Sequence, residues 1–122
     1  MVTAIVIDDD FDVRETLAEF LRIKNVNVVG TGKDGKEALN LYKAHSPDIV
    51  MMDIMMPNYD GMYGLREIRE FNNKAKVIMI SAYASDQTKH DLYDKGAFAV
   101  LSKPYEIDEV MQIIQQVQSI SN

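Results

Sequence analysis

Five short apolar segments alternate with five segments of helical periodicity along this chain of 122 residues, and this alternation limits its fold more than any other feature. The apolar segments are rich in Val and Ile and nearly continuous, as is typical of strands buried on both faces. They span residues 3–7, 26–29, 48–52, 76–80 and 97–101. The alternation predicts one α/β domain over residues 1–122: a flavodoxin-like parallel sheet of five strands in the order 2-1-3-4-5, with helices on both faces.

Each segment between the predicted strands carries apolar residues at helical spacing. In the first helix these residues are Val13, Leu17, Phe20 and Leu21, and in the last they are Ile107, Val110, Met111, Ile114 and Val117. The second and third helices are expected to begin near Gly35 and Gly61. The fourth, over residues 86–95, has only Leu92 and Tyr93 as large apolar residues, and Gly96 supplies its end.

Composition excludes several classes of function. The net charge of −6 argues against a nucleic-acid surface, which needs clustered Lys and Arg. No apolar run has the length of a membrane span, and no signal peptide is visible. Cysteine is absent, so disulfides and thiolate metal sites are excluded. We expect a cytoplasmic protein with neither nucleic acid nor membrane as a partner.

Polar residues follow four of the predicted strands at the point where each strand ends. Asp8 and Asp9 follow the first strand, Asp53 the third, Ser81 the fourth and Lys103 the fifth. Ligands of open parallel sheets bind at the carboxyl ends of the strands. Since the predicted order makes the first and third strands neighbours, the three carboxylates are expected to lie side by side.

This set of residues suits a cation and an anion in one pocket. Crowded carboxylates repel each other, and oxygen ligands without His or Cys favour Mg²⁺, with Mn²⁺ as the alternative. Asp53 can act as a nucleophile towards a phosphoryl group, while Lys103 and Ser81 bind its oxygens. The alternative is a solvated acidic loop, in which Asp10 or Asp12 caps a helix.

Other residues near these strand ends are less informative. The backbone carbonyl of Met55 is expected to face the metal from the turn after Asp53, whereas the methionine side chains around Asp53 are core filler. For Pro104 the sequence alone favours a trans peptide bond that starts the last loop. Both histidines, His45 and His90, are expected at the surface of helices.

The chain resembles the receiver domains of two-component response regulators, most closely the single-domain chemotaxis-type and phosphorelay-type regulators. The resemblance covers essentially the whole chain, and its motifs occur in the family's order. The motifs that carry the resemblance are Ile7-Asp8-Asp9, Pro47 through Asp53, Met56-Pro57 with Asp60-Gly61, Ser81-Ala82, Gly96-Ala97 and Lys103-Pro104.

The resemblance implies a role for each site residue. It makes Asp53 the phosphoacceptor, and it makes Asp9 a direct ligand and Asp8 a water-mediated ligand of Mg²⁺, with the Met55 carbonyl completing the protein ligands. Ser81 becomes the switch hydroxyl. Lys103 binds a phosphoryl oxygen, and the Lys103-Pro104 peptide bond is cis. The implied donor is a phosphohistidine on a sensor histidine kinase or a phosphotransfer protein.

Two departures from the family pattern concern the output. The family's switch aromatic lies three residues before the lysine, where this chain has Val100, and Tyr105 stands where Phe is common. We therefore expect the signal to pass through the loop after Ser81, with Tyr83, and through the fourth helix. No output domain is expected after the last helix, so the output is a contact with a downstream protein on a face that includes Val100 and Pro104.

Two alternatives remain open at this point. One is a receiver fold that acts as an interaction module without phosphorylation, although the complete acidic set and Lys103 argue against it. The other is a small Mg²⁺-dependent aspartyl phosphatase of the haloacid dehalogenase type, with Asp8 as nucleophile and Asp10 as the second acid. That class wants Thr where this chain has Asp12, and it usually has a longer chain. We therefore expect a signalling phosphoprotein that catalyses only its own phosphoryl transfer and dephosphorylation.

Overall fold

The computed structural model describes residues 1–121, in which five strands and five helices alternate without exception. The strands are β1 (Thr3–Ile7), β2 (Asn27–Gly32), β3 (Ile49–Asp53), β4 (Val77–Ser81) and β5 (Ala99–Ser102). The helices are α1 (Phe11–Ile23), α2 (Gly35–His45), α3 (Gly61–Phe71), α4 (Asp86–Asp94) and α5 (Ile107–Ser121). None of these helices is long and apolar enough to cross a membrane.

The strands form one parallel sheet in the order β2-β1-β3-β4-β5, which confirms the predicted flavodoxin-like topology. The sheet separates two clusters of buried side chains. Leu21 of α1 and Ile114 of α5 belong to the cluster on one face, the α1/α5 core. Tyr42, Ile68 and Leu92, from α2, α3 and α4, belong to the cluster on the other face, the α2/α3/α4 core.

Four helices begin at a polar residue whose side chain accepts the backbone N–H three residues further on. The N-caps of α1 to α4 are Asp10, Asp34, Asp60 and Ser85, with N–H to oxygen distances of 3.1, 2.9, 2.9 and 3.1 Å. Such caps satisfy a backbone donor that has no partner within the helix. Because they fix where each helix starts, they also fix the length of the loop between strand end and helix.

The edge strands differ from their predicted bounds. Strand β2 continues through Gly30, Thr31 and Gly32, which pair with the second half of β1 although they are not apolar. Strand β5 begins at Ala99 instead of residue 97, because the Ala97 N–H donates to the Leu92 carbonyl and closes the end of α4. Backbone pairing and a helix end therefore override the apolar pattern at both edges.

Two predicted core residues of α1 are exposed. Val13 and Phe20 are 42% and 50% exposed, whereas Leu17, Ala18 and Leu21 form the buried face. The small side chain of Ala18 belongs to the packed face, which a pattern of large apolar residues misses. In α4, Leu92 is buried as expected but Tyr93 is 49% exposed.

Candidate functional site

The carboxyl ends of β1, β3, β4 and β5 bring the predicted site residues together. Asp53 ends β3, which lies between β1 and β4 in the sheet. Ser81 ends β4, and its carbonyl accepts the Lys103 backbone N–H at 2.9 Å. Asp8 directly follows β1, and its N–H donates to the Gly32 carbonyl at 3.0 Å. Sheet pairing thus fixes the backbone from which four of these side chains start.

Three carboxylates form an acidic cluster at this edge. One oxygen from each of Asp8, Asp9 and Asp53 lies within 4.8 Å of the others. Asp8 and Asp53 are each 7% exposed, whereas Asp9 is exposed. Two buried carboxylates and one exposed carboxylate leave the cluster open to solvent on one side. The donor set is all oxygen, which is the chemistry that Mg²⁺ prefers.

Lys103 supplies the positive charge at this cluster. Its Nζ lies 2.9 Å from Asp53 Oδ1 and 3.8 Å from Asp8 Oδ2. Burial alone lowers the pKa of Lys103, but the hydrogen bond and charge of Asp53, with the charge of Asp8, outweigh it and raise this pKa. Lys103 is therefore held in its charged form beside Asp53.

The charge of Asp8 is less well compensated. Burial is the largest influence on the pKa of its carboxyl and raises it, and the charges of Asp53 and Asp9 act in the same direction. The Asp10 N–H, which donates to Asp8 Oδ1 at 2.9 Å, and the Lys103 charge lower the pKa but do not cancel the rise. One cation does not neutralise three clustered carboxylates, so the cluster fits a further cation such as Mg²⁺.

Ser81 and Tyr83 connect the cluster to α4. Ser81 is 7% exposed, and its Oγ accepts the Tyr83 backbone N–H at 3.0 Å. The hydroxyl proton of Ser81 is not used in this bond, which leaves it free to donate to another oxygen. Tyr83 is 81% exposed and lies in the loop that leads to α4.

The loop after β3 depends on a glycine at the start of α3. A Cβ on Gly61 would collide with the Asp53 carbonyl oxygen and come within 2.8 Å of the Ile54 Cα. Only glycine allows α3 to begin this close to Asp53, and the Gly61 N–H donates to the Ile54 carbonyl at 2.8 Å. The Met55 side chain in this loop is 72% exposed, and the metal-facing role of its carbonyl stays a prediction.

In and around β5, the peptide bond before Pro104 differs from the expectation drawn from sequence alone. The Lys103-Pro104 bond is cis, as the resemblance implies, so the expectation of a trans bond is wrong. Tyr105 packs against the α1/α5 core, and burial raises the pKa of its hydroxyl. Val100 packs against the α2/α3/α4 core, whereas Phe98 packs on the α1/α5 side because it precedes the strand.

Two residues near the site were missed from the sequence. The Arg14 Nη1 donates to the Asp8 carbonyl at 3.1 Å, and the Tyr93 hydroxyl accepts the Val100 N–H at 3.2 Å. Arg14 is six residues from Asp8, and Tyr93 is seven residues from Val100. Both contacts cross a helix boundary, so no periodic pattern could have indicated them.

Asp10 has a structural role in this arrangement. Its side chain caps α1 by accepting the Val13 N–H at 3.1 Å, as one of the sequence alternatives stated. An Asp10 carboxylate engaged with the helix is poorly placed to act as the second acid of an aspartyl phosphatase.

Comparison with known proteins agrees with this geometry. The model of the response regulator receiver domain family matches residues 4–115. The chemotaxis protein CheY of Bacillus subtilis is 34% identical over 112 residues, which are 92% of this chain and 93% of CheY. Protein CcdB of the same organism is 36% identical over 117 residues, which cover 96% of this chain and 98% of CcdB.

A solved structure has a fold similar to that of this chain. A chain of the CheX-CheY-BeF3-Mg²⁺ complex from Borrelia burgdorferi superimposes with a TM-score of 0.90 at 36% sequence identity. The match covers 95% of the present chain and 88% of the other.

Proposed function

Because this chain belongs to the family of response regulator receiver domains, we propose that Asp53 accepts a phosphoryl group from a phosphohistidine on a sensor histidine kinase or a phosphotransfer protein. The chain is a receiver domain of two-component systems, and its family signals through phosphorylation. The residue roles and the donor are the content of the proposal. It includes a cytoplasmic location and a downstream protein as the recipient of the signal.

One observation supports the proposal above the others. The buried Asp53 carboxylate lies 2.9 Å from the Lys103 ammonium and has oxygens of two further carboxylates within 4.8 Å. An acceptor of a phosphoryl group needs positioning and neutralisation of charge more than any covalent assistance. The same cluster is unfavourable as a purely structural feature, because buried like charges repel each other.

The proposed step exchanges one bond to phosphorus for another. An Asp53 carboxylate oxygen attacks phosphorus and forms a P–O bond while the P–N bond of the phosphohistidine breaks. The imidazole leaves with the electron pair of that bond and takes up a proton. Water later attacks the acyl phosphate, which releases inorganic phosphate and restores the Asp53 carboxylate.

The surrounding side chains act on the phosphoryl oxygens. Lys103 exchanges its ion pair with Asp53 for one with a phosphoryl oxygen. Ser81 donates its hydroxyl proton to a second oxygen, which draws the loop carrying Tyr83 towards the site. Asp8, Asp9, Asp53 and the Met55 carbonyl would hold Mg²⁺. When bound, this ion neutralises the carboxylates and the phosphoryl charge.

The phosphoryl donor needs a surface beside Asp53, and α1 offers one. Val13 and Phe20 are 42% and 50% exposed and lie seven residues apart on one face of α1, so they form an apolar strip on the helix that follows the acidic cluster. We assign this strip to contact with the donor protein, since exposed apolar strips are typical of protein interfaces.

The test is phosphorylation of the purified chain by acetyl phosphate with Mg²⁺, read as intact mass. Wild type is expected to gain one phosphoryl group, and Asp53→Asn is expected to gain none, because an amide is a poor nucleophile. The control is Asp94→Asn, which removes an exposed acid whose side chain is 68% accessible on α4. Equal labelling of Asp53→Asn and wild type would refute Asp53 as the acceptor.

A further inference from the structure

Arg14 is a partly buried cation that the proposed reaction leaves without a role. Its side chain is 15% exposed, and its guanidinium carbon lies 5.3 Å from the centre of the Phe11 ring. Its Nη1 donates to the Asp8 carbonyl at 3.1 Å. The arginine therefore contacts the backbone between two of the three clustered carboxylates.

Arg14 at this position lowers the stability of the folded chain more than an arginine at an ordinary surface position would. The Arg14 Nε is buried without a hydrogen-bond partner among residues 1–121, and Glu15 Oε2 lies 3.8 Å away, too far for a hydrogen bond. Arg14 is also the fourth residue of α1, close to the helix end that disfavours positive charge. Helix stability therefore does not explain an arginine here.

The Asp8 carbonyl is the atom through which Arg14 reaches the site. The peptide that begins at this carbonyl leads directly to Asp9, the exposed member of the acidic cluster. On one side this segment is fixed by the Asp8 N–H to Gly32 bond, and on the other by the bond from the Asp10 N–H to Asp8 Oδ1. Arg14 fixes the carbonyl between them and thereby the direction in which Asp9 leaves the chain.

We propose that Arg14 is a positioning residue for the divalent cation, holding the Asp8–Asp9 peptide so that both carboxylates converge on Asp53. This inference rests on the proposed function, because it assumes that the acidic cluster binds Mg²⁺. Partners that orient metal ligands typically change metal affinity by tenfold or more when they are removed.

The hydrogen bond and the charge of Arg14 are expected to have opposite effects on the affinity for a divalent cation, so the two can be told apart by experiment. A positive charge near the cluster repels a divalent cation, so loss of the Arg14 charge alone would strengthen metal binding. Loss of the hydrogen bond to the Asp8 carbonyl would weaken it, because the ligands would no longer be preorganised.

The experiment measures Mn²⁺ affinity from the electron paramagnetic resonance signal of free Mn²⁺. Arg14→Met, which keeps the apolar stem, is expected to bind Mn²⁺ about tenfold more weakly than wild type. Arg14→Lys, which keeps a donor, is expected to recover most of the affinity. Arg22→Met removes an arginine from the same helix whose side chain is 48% exposed, and its affinity is expected to match wild type.

Two outcomes separate this inference from the proposed function. If Asp9→Ala binds Mn²⁺ as well as wild type, the acidic cluster is not the metal site and both fail. If Asp9→Ala loses affinity while Arg14→Met binds as tightly as wild type or more tightly, only the positioning role of Arg14 fails. Should Arg14→Met not fold, Arg14→Leu removes the donor and the charge in the same way, and affinity equal to or tighter than wild type in this variant would overturn the inference equally.

Discussion

At the scale of single residues, Asp8 is the member of the candidate site whose charge most clearly lowers the stability of the fold. Burial and the neighbouring carboxylates raise its pKa, so its carboxyl holds a proton more tightly in the folded than in the unfolded chain. Stability from such a group is greatest at low pH and is lost as pH rises through the raised pKa. At neutral pH the charged Asp8 therefore destabilises the metal-free fold.

Asp8→Asn is expected to raise the free energy of unfolding at pH 7 by about 1 kcal/mol without divalent cations, the usual gain from relieving an unfavourable charge at a functional site. Thermal melts in a chelating buffer measure this. The gain is expected to shrink as pH falls, because wild-type Asp8 then becomes protonated. Glu70→Gln, which removes an exposed charge, serves as the control. A variant less stable than wild type at pH 7 would contradict the account.

We propose that Lys103 couples the phosphoryl group to the rest of the chain. Lys103→Ala is still expected to accept phosphoryl groups from acetyl phosphate, since Asp53 and the acidic residues remain. The amide chemical-shift changes that phosphorylation causes in α4 are expected to fall to less than half of those in wild type, because the phosphoryl group loses its cationic partner. Lys74→Ala, at an exposed loop position, is the control. Full-sized shifts in α4 of phosphorylated Lys103→Ala would show that Lys103 does not transmit the signal.

At the scale of elements, α4 is held to the sheet by few groups. Leu92 is its buried residue, and the Tyr93 hydroxyl accepts the N–H of Val100 in the edge strand β5 at 3.2 Å. A helix with so little buried area lies at the low-stability end of a domain. Since Val100 has a short, stiff side chain, we expect α4 and the loop after Ser81 to move in place of a ring at position 100.

Hydrogen exchange with and without a phosphoryl mimic and Mg²⁺ tests this route. Protection is expected to change most over residues 81–95. In the unphosphorylated chain, Tyr93→Phe is expected to lower the protection of the Val100 amide by about 1 kcal/mol, the usual net value of one hydrogen bond. Tyr63→Phe, which keeps this bond, is the control. Changes confined to Val100 and α5 on addition of the mimic would make the route through α4 wrong.

The elements also mark where inference from sequence succeeds. Strand ends that carry Asp53 and Ser81 were predicted because buried strands are apolar and their polar ends stand out. Residues 30–32 of β2 were not predicted, because an edge strand is held by backbone pairing that leaves no apolar pattern. Val13 and Phe20 were assigned to the core because periodicity gives a stripe but not its width.

The site shows the same division between what sequence can and cannot predict. Asp8, Asp9, Asp53, Ser81 and Lys103 were found because each follows a strand that the fold brings to one edge. Arg14 and Tyr93 act on backbone atoms, the Asp8 carbonyl and the Val100 N–H, which no side-chain pattern encodes. The cis Lys103-Pro104 bond followed from the family resemblance and not from local preference.

At the scale of the whole molecule, the order of the strands in the sheet brings the residues of the candidate site together. Placing β3 between β1 and β4 brings Asp53 next to Asp8 on one side and to Ser81 on the other, while β5 delivers Lys103. The two cores on opposite faces of the sheet hold these strand ends at fixed spacing. Residues more than 90 positions apart thus meet at one candidate site, as with Asp8 and Lys103 at 3.8 Å.

The most direct test of the central claim locates the phosphoryl group on the chain. The protein is incubated with acetyl phosphate and Mg²⁺, reduced with borohydride to convert a phosphorylated aspartate into homoserine, and digested for peptide mass spectrometry. A sample with chelator in place of Mg²⁺ is the control. The account predicts homoserine at position 53 in the Mg²⁺ sample and little in the control. Homoserine at position 8 would indicate a phosphatase-like nucleophile, and its absence throughout would indicate an interaction module, so either result would contradict the account.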